Sequence, residues 1–265
     1  MVLPNFIIIG APRAGTTALT RYLSAHPQIL MSARKELHFF DSHYERGLDW
    51  YARQFAVGVG KLAVGEATPT YMYKEEAIAR MARALPEAKL VAILREPVDR
   101  AYSHYWLIRA RGWEPLEFVA AIKPGHGRRP YLEEGRYLKY LRQVCRYYAR
   151  EALHVVILED LRDAPVPFYA SLCRFLGVDD TFVPRTLGRP VHQYAEFRSL
   201  LLFKISHKLP PGPGRFVDRF NARHPSYPPL DPGLRQALRE QFAADNAALA
   251  EWLGRDLSFW NNATP

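Results

Sequence analysis

Three short stretches hold residues whose types and spacing suit chemistry on an anionic ligand. The first is Gly10-Ala11-Pro12-Arg13-Ala14-Gly15-Thr16-Thr17. Two glycines bracket a loop whose backbone N–H groups can converge on one anion, with a guanidinium inside it and two hydroxyls after it. A triphosphate-binding loop of the ATPase kind reads Gly, four residues, Gly, Lys, then Ser or Thr. Here Thr16 stands at the lysine position. The cradle is kept without the cation that serves the outer phosphates, and Arg13 supplies a charge from within the loop. Taken alone, the same residues also read as a plain strand-to-helix turn with a surface arginine.

The second stretch is Lys35-Glu36-Leu37-His38-Phe39-Phe40-Asp41. Glu36, two residues from His38 and next to a phenylalanine pair, is an acid/base candidate set against apolar walls that keep water out. The alternative is a solvated Lys35–Glu36 ion pair with Phe39 and Phe40 in the core. The third stretch, Arg95-Glu96-Pro97-Val98-Asp99-Arg100-Ala101-Tyr102-Ser103-His104, follows an apolar run. Pro97 suits the first residue of a helix, which puts Arg95 at a strand end and Ser103 about two turns into the helix. Both then suit one anion, unless Arg95 simply pairs with Glu96 or Asp99. A magnesium-dependent triphosphatase wants an aspartate at such a strand end, and Arg95 is there instead.

The elements that must position these groups alternate along the chain. Strands are expected at Phe6–Ile9, Ile29–Met31, Lys61–Gly65, Ala88–Leu94 and Leu153–Leu158. Helices are expected at Thr16–Ala25, Gly47–Phe55, Glu75–Leu85, from Pro97 onward, Pro115–Ile122, Glu133–Arg150, Phe168–Leu176 and Leu234–Leu253, with a further one over Phe197–Lys208. Apolar runs without alternation suit strands covered on both faces, so the fold class is α/β, a central mainly parallel sheet flanked by helices. The basic loop Lys123–Arg129 suits a lid, and residues 178–230, with the proline-rich turn Leu209–Arg215 and Pro225–Pro229, are the least patterned part. Tyr71 and His104, in aromatic and histidine-bearing segments, are candidates to line an acceptor pocket.

Composition bounds the rest. The 265 residues, 48% hydrophobic, suit one globular domain over 1–265. Thirty-six basic against 27 acidic residues give a formal net charge of +9. The basic residues are scattered among acids rather than clustered, so nucleic acid is not expected as a partner. Cys145 and Cys173 lack metal or redox spacing and are expected as buried free thiols. No apolar run approaches a membrane span, and the start has no basic and apolar leader pattern, so a cytoplasmic protein is expected.

Taken in this order, the motifs resemble those of sulfotransferases that use 3′-phosphoadenosine 5′-phosphosulfate (PAPS), in particular the carbohydrate type represented by heparan sulfate N- and 3-O-sulfotransferases and their bacterial relatives. The markers are Pro12-Arg13-Ala14-Gly15-Thr16-Thr17, Glu36-Leu37-His38-Phe39-Phe40-Asp41, Arg95 with Ser103, and Gly135-Arg136-Tyr137. The resemblance runs from Phe6 to about Asp160 and again in the last helix. It implies a P-loop-like sulfotransferase fold, PAPS as donor, the bisphosphate PAP as product and no metal. It further implies that Pro12 to Thr17 hold the 5′-phosphosulfate, Arg95 and Ser103 the 3′-phosphate, and Tyr137 a further cofactor contact. Glu36 would be the base, Arg13 would stabilise the departing phosphate oxygen, and His38 would be a second acid/base group or a residue orienting Glu36.

Two departures bear on the substrate. Many relatives have lysine where Arg13 stands, and the animal enzymes tend to have Glu-Lys where this chain has Glu66-Ala67. Their C-terminal lysine-rich glycan-binding loop and paired cysteines are also not evident. The expected acceptor is therefore a hydroxyl, less readily an amine, of a small molecule or carbohydrate. Competing readings are a P-loop kinase of nucleotides or small molecules, and a non-catalytic nucleotide- or polyanion-binding protein.

Overall fold

The computed structural model describes residues 2–189 and 227–261 and, between them, 196–197, 199–206, 209, 213, 216–218 and 221–223. Five strands, β1 (Phe6–Gly10), β2 (Ile29–Met31), β3 (Ala63–Ala67), β4 (Lys89–Leu94) and β5 (Leu153–Ile157), form one sheet in the order β2-β3-β1-β4-β5. Every pairing in it is parallel. Phe6, Ile7, Ile8 and Ile9 are all completely buried, as a central strand covered on both faces requires. At about 1.5–3 kcal/mol for each fully buried large side chain, this one strand is a large part of what holds the sheet in its layer.

Helices among the described residues are α1 (Thr16–Ser24), α2 (Phe39–Ser42), α3 (Gly47–Arg53), α4 (Glu75–Ala84), α5 (Pro97–Ala110), α6 (Phe118–Ala121), α7 (Tyr137–Val144), α8 (Leu158–Asp163), α9 (Pro165–Leu176), α10 (Leu200–Ser206) and α11 (Pro232–Leu253). A two-residue strand, β6 (Glu196–Phe197), pairs antiparallel with β7 (Ala222–Arg223). The chain after β1 runs to β2 on one side of the sheet, whereas the chain after β4 runs to β5 on the other. The carboxyl ends of β1 and β4 therefore flank the reversal of direction where open α/β sheets hold ligands.

Three expected elements differ. The helix expected over Pro115–Ile122 is only α6, Phe118–Ala121. The helix expected over Glu133–Arg150 is a 3₁₀ turn at Glu133–Gly135, then α7, which ends at Val144. Beyond it Arg146 and Tyr147 donate to carbonyls three residues back, tightening the chain into turns that keep Tyr148 buried. The helix expected from Phe168 begins at Pro165, where proline's missing N–H costs nothing, and α8 precedes it. The helix expected over Phe197–Lys208 is present as α10, while most of Leu209–Arg215, and residues 225 and 226 of Pro225–Pro229, lie outside the described residues. Cys173 is buried and Cys145 half-buried, both as free thiols.

The chain divides into two compact units. One comprises residues 1–96, 137–191 and 245–257 and contains the whole five-stranded sheet. The other comprises 97–136, 192–244 and 258–265. Its core gathers Val98, Ala101, Tyr105 and Ile108 of α5 with Phe118, Tyr131 and Phe242. Beside that core the Arg100 guanidinium meets the Glu134 carboxylate at 2.9 Å, and His104 Nδ1 lies 3.1 Å from the same oxygen.

Candidate active site

β1 ends at Gly10, where any side chain would collide with Met72: a Cβ there would lie 1.9 Å from its sulfur. The loop returns to the sheet through Ala11, whose N–H donates to the Ile93 carbonyl of β4 at 2.8 Å. Arg13 takes left-handed backbone, φ 69°, and Gly15 does so at φ 97° as the N-cap of α1. No side chain caps α1. Its first-turn N–H groups and the positive end of its dipole thus open onto the loop, the fit a phosphate group needs. Thr16 and Ala14 are buried, and Pro12, Arg13 and Thr17 are half-buried.

The second strand end joins this loop. Arg95 follows β4, and its Nη1 donates to the Arg13 carbonyl at 3.4 Å. The Tyr137 hydroxyl donates to the Arg95 carbonyl at 2.8 Å, so Tyr137 props the strand end that carries Arg95. Ser103 and His104 belong to the other unit and are buried on α5. His104 does not present its ring to solvent: it is 7% exposed, beside Glu134, and burial first of all holds its pKa below the usual histidine value.

The acid/base segment meets the loop through a residue that sequence reasoning left as a solvated charge. Lys35 Nζ donates to the Thr17 hydroxyl and lies 3.3 Å from Glu36 Oε1. Burial chiefly lowers its pKa, opposed by the Glu36 carboxylate. Glu36 itself is not walled in by the phenylalanines. Its side chain is 47% exposed, whereas Phe39 and Phe40 turn into the core against Tyr51, Phe39 stacked at 4.4 Å between centroids and Phe40 edge-on at 5.1 Å. Glu36 and His38 both adopt left-handed backbone, φ 57° and 52°. Non-glycine residues there cost about 1–3 kcal/mol each, which neighbouring contacts must offset.

His38 sits between two carboxylates. Its Nδ1 is 3.1 Å from both oxygens of Asp41, and its Nε2 is 3.9 Å from Glu36 Oε2. The hydrogen bond to Asp41 raises the His38 pKa above 6.5, against the opposing effect of burial. Asp41 is depressed well below the usual carboxylate range: burial opposes this, but His38 and Lys74, whose Nζ is 3.0 Å away, outweigh it. Thr70 donates to the same carboxylate at 3.2 Å. Asp41 and Lys74 were not among the candidates foreseen beside Glu36 and His38. The i,i+3 spacing of His38 and Asp41 was the available signal for the first; nothing in the spacing points to Lys74.

Tyr71, foreseen as an acceptor contact, is fully buried and donates its hydroxyl to Glu66 at 3.2 Å. Glu66 is fully buried as well, and also accepts from Tyr51 at 2.8 Å and Thr68 at 2.7 Å. What the sheet-bearing unit brings together is therefore a phosphate-type cradle with two arginines, a lysine, and an exposed carboxylate backed by a histidine–aspartate pair. That arrangement can bind an anion at the helix N-terminus and take a proton beside it.

Comparison with known proteins identifies the family. A family model described as "Sulfotransferase domain" matches residues 3–200. The chain belongs to the sulfotransferase family. A bacterial sulfotransferase structure from Alicyclobacillus acidocaldarius superposes with a TM-score of 0.76 and 29% identity, over 99% of this chain and 100% of that one. Among curated sequences, the chain is 30% identical to human bifunctional heparan sulfate N-deacetylase/N-sulfotransferase 3 over 97% of its length, spanning 31% of that protein. Human heparan sulfate glucosamine 3-O-sulfotransferase 5 is 27% identical, covering 97% of this chain and 74% of that one. Membrane-associated sulfotransferase kil1 of Dictyostelium discoideum is 40% identical over 44% of this chain and 26% of that protein. No helix among the described residues is long and apolar enough to cross a membrane.

Proposed function

We propose that this sulfotransferase moves the sulfuryl group of PAPS to a hydroxyl, less readily an amine, of a small-molecule or carbohydrate acceptor. Residues 1–265 would serve one such domain, without an essential metal and in the cytoplasm. The observation that carries the reading is the contact of Lys35 with both Thr17 and Glu36, which joins the phosphate-type loop to the candidate base. In-line group transfer needs that proximity, because its catalysis is mostly positioning and charge stabilisation.

When bound, PAPS supplies the activated sulfuryl group and a 5′-phosphate leaving group. Arg13, the N-terminal amides of α1 and the hydroxyls of Thr16 and Thr17 hold the 5′-phosphate end and stabilise the charge that develops on the bridging oxygen. Lys35 adds an ammonium at the same place. Glu36 would take the proton of the acceptor hydroxyl. His38 orients Glu36, or serves beside it as a second acid/base group, and is itself held by Asp41. Arg95 is assigned to the 3′-phosphate, and Ser103 to the same group on the sequence resemblance.

Thr16 at the place of the triphosphatase lysine argues against the kinase reading. Isothermal titration with PAP, with the analogue lacking a 3′-phosphate, and with magnesium-ATP tests the donor assignment. Tight binding of PAP alone is expected. Preference for magnesium-ATP would establish the kinase instead.

A further inference from the structure

We propose that Glu66 is a positioning residue that holds the base segment in place through Thr68 and Tyr71; the inference rests on the sulfuryl-transfer reading of that segment. Glu66 lies on β3, in register with Ile7 of the central strand, and is fully buried. Three hydroxyls converge on its carboxylate: Tyr51 and Tyr71 on one oxygen, at 2.8 and 3.2 Å, and Thr68 on the other at 2.7 Å.

Burial raises the Glu66 pKa, and the hydrogen bonds from Thr68, Tyr51 and Tyr71 oppose that shift. Each of the three hydroxyls spends its single proton on a Glu66 oxygen. Their lone pairs are then left to accept from elsewhere. The Thr68 hydroxyl receives the His38 N–H at 3.5 Å, and the Tyr71 hydroxyl receives the Phe40 N–H at 3.3 Å. A third tie comes from the backbone of the strand itself, where the Ala67 carbonyl accepts the Glu36 N–H at 3.0 Å. The segment so clamped contains the two left-handed residues Glu36 and His38. Their backbone resists that conformation, and the clamp sets the direction in which both side chains leave it.

A glutamine at 66 would present an NH₂ that competes for the same hydroxyl lone pairs, and so disturbs polarity while conserving shape. Placement of this kind is tested by substitutions read in three ways. We expect Glu66→Gln and Thr68→Val to speed amide hydrogen exchange of His38 and Phe40 by roughly fivefold or more, with β1 and β4 protection unchanged. Turnover with PAPS should fall by on the order of 10²-fold, whereas PAP affinity stays within about twofold. Thr68→Ser should restore both exchange and turnover. Should Glu66→Gln fail to fold, Thr68→Val and Tyr71→Phe carry the same test. Wild-type exchange at His38 and Phe40 in these variants would overturn the proposal, as would a loss of PAP affinity in step with turnover or a failure of serine to rescue. A wild-type protein that transfers nothing from PAPS would refute the reaction alone, since the exchange measurement still decides whether Glu66 clamps the segment.

Discussion

His38 is tuned by what lies on either side of it, and the tuning is measurable. Its pKa is raised above 6.5 by Asp41, so its share of the pair's stabilisation is full below 6.5 and is lost as pH rises through the raised value. Asp41 is depressed below 3.8, so its share is present above 3.8 and is lost as pH falls toward the depressed value. The stability lost in Asp41→Asn should therefore be greatest between these two pH values and shrink above them. Chemical denaturation across pH checks this, and NMR titration of His38 should show its pKa fall in the variant. A second residue-scale expectation concerns Arg95, which donates to the Arg13 carbonyl. Arg95→Ala should weaken PAP binding by roughly 10- to 10²-fold, the loss of one or two charge-assisted hydrogen bonds. Glu36, His38, Arg13 and Arg95 could be singled out as candidates because each lies inside a motif. Lys35 was not, because Thr17 is 18 positions away and only the fold brings the hydroxyl to the ammonium.

The element that matters most is the passage from β1 through the loop into α1. Gly15 holds φ 97°, and a Cβ there would lie 2.7 Å from Leu158 Cδ1. Gly15→Ala should cost about 1–3 kcal/mol of stability, from the left-handed backbone and the clash together, and should abolish PAP binding at concentrations that saturate the wild type. Urea denaturation and calorimetry separate the two effects. The strands were readable because each is a short apolar run bounded by turn residues. Their order was not, since parallel neighbours are chosen by long-range packing that leaves no local trace. Over Glu133–Arg150 the apolar spacing of Tyr137, Leu138, Leu141 and Tyr148 mimics one long helix. The i→i+3 turns after Val144 keep the same face buried while ending the helix. α8 went unseen because Leu158-Glu159-Asp160 continues from β5 with no glycine or proline between them.

For the whole molecule, family membership defines the reaction class, sulfuryl transfer. The chain spans 31% of human bifunctional heparan sulfate N-deacetylase/N-sulfotransferase 3, whose name includes a second activity, and it has Ala67 rather than a lysine after Glu66. Neither fact favours a long polyanion over a smaller hydroxyl compound. The charge of +9 suits either a phosphate-bearing donor or an anionic acceptor. With Arg13, Lys35 and Arg95 as the cations at the candidate site, chelation of divalent metals should leave the initial rate unchanged; loss of activity on chelation, restored by magnesium, would point back to the kinase. The most direct measurement is mass spectrometry of an acceptor panel incubated with PAPS and either wild-type protein or Glu36→Gln. We predict a sulfuryl group added to an acceptor oxygen by the wild type, and none by a variant that still binds PAP. Sulfation by Glu36→Gln at the wild-type rate would contradict this prediction.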